Sequence, residues 1–136
     1  MNSRTHRPDA ITPHATDAAP RAIGPYSQSV EVNGMLWTSG QIALDPATGE
    51  MVGGGFEAEA RRVFANLGAV LASAGCGFGD VVKATVYLAD MGDFAVLNKV
   101  YAEAFGDHKP ARSTVQAAAL PRGAKVEIDL VARIPR

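Results

Sequence analysis

With 136 residues, 47% of them hydrophobic and 20% charged, the chain is sized and composed for one globular domain rather than two, and for no long disordered stretch. Its 13 basic and 14 acidic residues leave a formal net charge of −1, which gives no general attraction to nucleic acid or to an anionic membrane. The single cysteine, Cys76, excludes an intrachain disulfide and suits a reducing cytoplasm, and no run of about 18 apolar residues exists to span a membrane.

Residues 1–17 read as a flexible N-terminal tail, with Pro8, Pro13 and no periodicity. Arg4 and Arg7 precede no apolar stretch, so this segment does not read as a signal peptide. Residues 18–136 read as one domain, without repeat or linker. Ser27 to Val32 suits a short strand, Asn33-Gly34 a tight hairpin turn, and Met35 to Gln41 the return strand. Residues 43–55 are loop chemistry, ending in three glycines. Phe56 to about Ala74 is the clearest helix, because Phe56, Ala60, Phe64, Leu67 and Leu71 recur at three- and four-residue steps. Val81 to Ala89 is rich in β-branched residues and reads as a strand. Asp90 is placed to cap a second helix, whose stripe is Phe94, Leu97, Tyr101 and Phe105 and whose end is Gly106. Arg112 to Leu120 and Lys125 to Ile134 read as strands around a Pro121-Arg122-Gly123 turn.

The expected order is therefore β-β-α-β-α-β-β, an α+β fold with two helices on one face of a sheet. In the last strand Val126, Ile128, Leu130, Ala132 and Ile134 share one face, and Glu127, Asp129 and Val131 the other. Lys83, Thr85 and Tyr87 line that second face on an earlier strand. Such a face is too apolar for free solvation and too polar for a dry core, which points to packing against another chain.

The chemistry-bearing candidates are few. No Walker-type phosphate loop and no dinucleotide fingerprint occurs. His6, His14 and His108 have no partner at metal-ligand spacing, so no metal site is expected. Cys76 lies in a glycine-rich turn without an adjacent base, which favours packing over nucleophilic chemistry. Arg112 begins a strand of small residues, where its planar fork either grips a carboxylate ligand or closes a structural salt bridge to Glu127 or Asp129. Glu127 alternates with core residues, so it is either an ion-pair partner or a carboxyl group tuned for proton transfer. Burial would raise its pKa and a nearby arginine would lower it. Tyr26, after Gly24-Pro25, and Ser39-Gly40, at a strand end, are explained by turn chemistry more readily than by a binding role. A direct hairpin of the last two strands would separate Arg112 from Glu127 by roughly 16 Å. Either those strands are not neighbours, or a site using both residues joins two chains.

These candidates lie in Ala22-Ile23-Gly24-Pro25-Tyr26-Ser27-Gln28, Thr38-Ser39-Gly40-Gln41-Ile42, Val82-Lys83-Ala84-Thr85-Val86-Tyr87, Pro110-Ala111-Arg112-Ser113 and Leu120-Pro121-Arg122-Gly123-Ala124-Lys125-Val126-Glu127-Ile128. In order and spacing they resemble the reactive intermediate (imine) deaminase family, RidA or YjgF-like, also called the endoribonuclease L-PSP family. The resemblance implies a chorismate-mutase-like fold with one mixed sheet, and a homotrimer with a central β-barrel and three clefts between subunits. It implies that Arg112 clamps a substrate carboxylate and that Glu127 positions or activates water. Tyr26, Ser39, Gly40, Ser113, Thr114 and Asn98 match positions around the cleft. Many relatives have cysteine where this chain has Thr114, a position thought to act through backbone groups.

The implied reaction is hydrolysis of short 2-imino or enamine acids, such as 2-aminoacrylate and 2-iminopropanoate, to 2-keto acids and ammonia, without metal or organic cofactor. Two alternatives compete: a trimer that binds small carboxylates without turnover, and an RNA-cleaving or translation-inhibiting protein. The balanced charge and the lack of a basic stripe oppose nucleic acid as a partner.

Overall fold

The computed structural model describes residues 7–136; Arg4 and His6 lie outside them. The strands are β1 (Thr12–His14), β2 (Ser29–Val32), β3 (Met35–Thr38), β4 (Val81–Leu88), β5 (Ala111–Gln116) and β6 (Val126–Arg133). The helices are α1 (Phe56–Ser73) and α2 (Phe94–Phe105). The expected α+β order is present, with β1 added in front.

β1 corrects the expectation of a structureless segment at 12–14, since these residues pair antiparallel with Glu31, Val30 and Ser29 of β2. The chain between β1 and Pro20 is held by the buried Gln28 side chain. Its amide donates to the Thr16 and Pro20 carbonyls at 3.0 and 2.7 Å and accepts from the Thr16 N–H at 2.8 Å. The β2–β3 hairpin turns on Asn33 and Gly34, both at positive φ (52° and 76°), the conformation an Asn-Gly pair tolerates best. Asp90 does not cap α2: its carboxylate accepts from the Gly92 N–H in a short 3-10 turn, and α2 begins after that turn, at Phe94.

The sheet order is β1-β2-β3-β6-β4-β5, antiparallel except for the parallel β4–β5 pair. α2 connects those two parallel strands, as a βαβ crossover requires. β4 therefore stands between β5 and β6, and the last two strands do not form a direct hairpin. Both helices lie on one face. There Leu36, Ala84, Val86, Leu88, Val126, Ile128, Leu130 and Ala132 of the sheet meet Val63, Leu67, Leu71, Leu97 and Val100 of the helices. Burial of β6 alternates residue by residue from Val126 to Ala132, as its sequence pattern demands.

The opposite face carries no helix. Tyr87 is registered with Glu127, Thr85 with Asp129, and Lys83 with Val131. Trp37, beside Val131, is 50% exposed, and Val115, beside Tyr87, is 47% exposed. Among the described residues no helix is long and apolar enough to cross a membrane.

Candidate functional site

Glu127 sits in a cavity of about 590 Å³ that Tyr26, Ser39, Gly40, Ile42 and Arg122 also line. The β6 register aims its side chain away from the helices, and the backbone there is fixed by reciprocal hydrogen bonds between Gln41 and Ile128, at 2.9 and 3.2 Å. A Cβ on Gly40 would collide with Glu127 Oε2, so only glycine lets the carboxylate lie against that backbone. Burial pushes the Glu127 carboxyl above the ordinary carboxylate range, and the Asp129 carboxylate adds to the push. Asp129 is itself raised by burial, partly offset by the Tyr87 hydroxyl. Of the two influences weighed for Glu127, burial is the one this chain supplies.

Tyr26 is 54% exposed at the cavity rim, held by a tight turn in which its N–H donates to the Gly24 carbonyl at 2.9 Å. The Ser39 hydroxyl donates to the Ser27 carbonyl at 2.6 Å. Its proton is thus committed to local structure, and only its lone pairs are left for a ligand.

Arg112 lies elsewhere. It is registered with Ala84, and Ala84 with Leu130, so its side chain leaves the sheet on the helix face, at the edge strand β5. Nη1 donates to Asn98 Oδ1 at 2.8 Å. The guanidinium carbon is 4.8 Å from the Tyr101 ring centroid and 5.4 Å from that of Phe94. Among the described residues no carboxylate is within ion-pair distance of it. The structural salt bridge to Glu127 or Asp129 is therefore absent, and the fork keeps free donors.

Within one chain Arg112 and Glu127 do not meet. Glu127 is level with Val115, three residues along β5 from Arg112 and two strands away. That is roughly 10 Å along the strands and roughly 10 Å across them, with the side chains on opposite faces. Ser113 and Thr114 divide in the same way. The Ser113 hydroxyl accepts from Lys83 Nζ at 3.0 Å on the open face, away from the Arg112 guanidinium. The Thr114 side chain shares the face of Arg112, and its hydroxyl is buried with no partner in the chain. The Ala117 N–H donates to the Leu88 carbonyl at 2.8 Å, so alternation turns the backbone groups of Arg112 and Thr114 to the open sheet edge.

The remaining candidates have structural duties. His108 Nε2 lies 2.6 Å from the Val81 carbonyl, which makes it the protonated nitrogen. His14 pairs with Glu31 at 2.9 Å and ties β1 to β2. Cys76 is buried near the Arg133 carbonyl, and burial pushes its thiol pKa up. Among the described residues no three His, Cys, Asp or Glu side chains converge as metal ligands would. Sequence reasoning missed Phe94 and Tyr101 as neighbours of Arg112; their four- and three-residue spacing around Asn98 was the available signal.

Residues 16–134 match the family model described as endoribonuclease L-PSP. The chain is 57% identical over 119 residues to protein DfrA of Myxococcus xanthus, covering 86% of this chain and 91% of the relative. It is 51% identical over 118 residues to the mouse (Mus musculus) 2-iminobutanoate/2-iminopropanoate deaminase, covering 87% of each. The crystal structure of E. coli TdcF with bound serine superposes with a TM-score of 0.85 at 42% identity, covering 90% of this chain and 98% of that one. The chain belongs to the endoribonuclease L-PSP family, also known as the YjgF/RidA family.

Proposed function

We propose that the protein is a 2-imino acid deaminase whose sites form between subunits of a homotrimer. Arg112 of one subunit and Glu127 of the next would face one short substrate, such as 2-iminopropanoate. The observation that carries this reading is the division of the two groups. An arginine with free donors and no carboxylate partner stands on one face, and a glutamate with a raised pKa stands on the other. Mammalian relatives at about 50% identity bear the name of this activity. The apolar exposure of Trp37 and Val115 on the helix-free face supports its burial against further copies of the chain.

The chemistry follows from the two groups. Free donors of Arg112 bind the substrate carboxylate and fix the imine carbon relative to Glu127. The Glu127 carboxylate accepts a proton from water as the water oxygen bonds to C2, giving a carbinolamine. The proton passes to the nitrogen. The C–N bond then breaks, ammonia leaves, and the hydroxyl loses its proton as the 2-keto acid forms. An enamine such as 2-aminoacrylate enters after protonation at C3 gives the imine. The raised pKa of Glu127 brings it closer to neutral pH, where one group best serves as both base and acid.

The test is release of ammonia and pyruvate from freshly generated 2-aminoacrylate. Acceleration over the spontaneous rate is expected. A rate equal to the spontaneous one, with the carboxylate still bound, would point instead to a binding protein without turnover.

A further inference from the structure

We propose that Phe94 and Tyr101 are positioning residues for Arg112: their rings form an aromatic seat that fixes the guanidinium and leaves one donor edge open to a small carboxylate. This rests on the carboxylate-clamp role of Arg112. Phe94, Asn98 and Tyr101 fall on one face of α2 by their spacing of four and three residues. All three meet Arg112: Asn98 through a 2.8 Å hydrogen bond, the rings at 5.4 and 4.8 Å from the guanidinium carbon. Both distances lie within the roughly 6 Å over which a ring face attracts a cation.

Arg112 is otherwise exposed on an edge strand, where a long side chain samples many rotamers. The seat removes that freedom before a ligand arrives, which is how preorganisation raises affinity. Asn98 takes one donor of the five, and the rings take none. Tyr101 is in turn packed against two further rings. Its ring centroid lies 4.5 Å from that of Phe105 and 5.9 Å, edge-on, from that of Phe64. Its hydroxyl is buried and has no partner in the chain, so the ring and not the hydroxyl makes the contact that matters.

The experiment compares wild type, Tyr101→Phe, Tyr101→Leu, Arg112→Lys and Tyr101→Leu/Arg112→Lys in the full chain. It measures kcat and KM for 2-iminopropanoate and calorimetric binding of pyruvate as a non-hydrolysable short carboxylate. Tyr101→Phe should match wild type. Tyr101→Leu should raise KM and the pyruvate Kd about fivefold, the scale of a cation–π contact, with kcat little changed. In the Arg112→Lys background Tyr101→Leu should add clearly less, because an ammonium still feels the ring but has no planar fork for it to orient. An unchanged KM in Tyr101→Leu, or an equal penalty in both backgrounds, would overturn the proposal. If Tyr101→Leu fails to fold, Phe94→Leu makes the same test from the other ring, with the same two outcomes. Wild-type kinetics and binding in Arg112→Lys would instead fault the clamp role of the arginine, a distinguishable failure.

Discussion

Arg112 and Glu127 are prepared in opposite ways. The arginine stands at the sheet edge, stacked on two rings and bonded to one amide, with its charge open to approach. The glutamate is half-buried beside Asp129, against a backbone that has given up its Cβ to make room, and its ionised form is disfavoured. One is suited to holding an anion and the other to exchanging a proton, the roles proposed for them. Each chain thus carries two differently prepared groups that it does not itself bring together, and under the proposed arrangement the chemistry would belong to the assembly.

Loss of the arginine half should have the largest effect. Arg112→Ala is expected to lower kcat/KM at least about a hundredfold, the scale of a two-point charged contact, while thermal melting and oligomer size persist. Steady-state kinetics beside size-exclusion chromatography check both. A comparable loss caused by dissociation would erase the distinction between the two halves.

Glu127→Gln should lower kcat about a hundredfold with little change in KM, as removal of a general base does. It also has an expected effect of opposite sign on stability. A carboxyl whose pKa is raised on folding adds its full stabilisation below its unfolded pKa and loses it as pH rises through the folded one. At neutral pH the glutamine variant should therefore melt higher than wild type. The gain should vanish about a pH unit below the ordinary glutamate value of about 4.3, where Glu127 is protonated in both states. The same raised pKa places the acid limb of kcat/KM above the ordinary glutamate value of about 4.3. Calorimetric melts across pH, with a pH–rate profile, test both signs.

Gly40→Ala should have a smaller and more selective effect. The new methyl group would collide with Glu127 Oε2, so the carboxylate must rotate away. About a tenfold fall in kcat is expected, with carboxylate binding retained, because a misplaced catalytic group costs rate before it costs affinity. An unchanged kcat would mean that the position of the carboxylate against Gly40 does not matter to turnover.

Much of this organisation is legible in the sequence. α1 is written in its three- and four-residue apolar steps, β6 in its strict alternation, and the hairpin turn in Asn33-Gly34. β1 is not, because Thr12-Pro13-His14 has no pattern of its own. It is a strand only through its register with β2 and the distant hold of Gln28 on residues 16–20. Arg112 and Glu127 stand out as candidates by residue type and setting. Their separation depends on β4 entering between two consecutive strands, a long-range fact. A strand–helix–strand order before residue 111 does hint at it, since such a unit favours parallel neighbours. The raised pKa of Glu127 was undetermined for the same reason: whether burial or an arginine dominates depends on which face each side chain takes.

Subunit mixing tests the central claim most directly. Arg112→Ala and Glu127→Gln, each expected to be about a hundredfold impaired alone, are co-refolded in equal amounts and exchange is verified by mass. If a site takes its arginine and its glutamate from different subunits, random trimers regain activity at about a quarter of their sites. If both groups of a site come from one chain, the mixed trimers stay as impaired as the separate variants, and the division of labour between subunits is wrong.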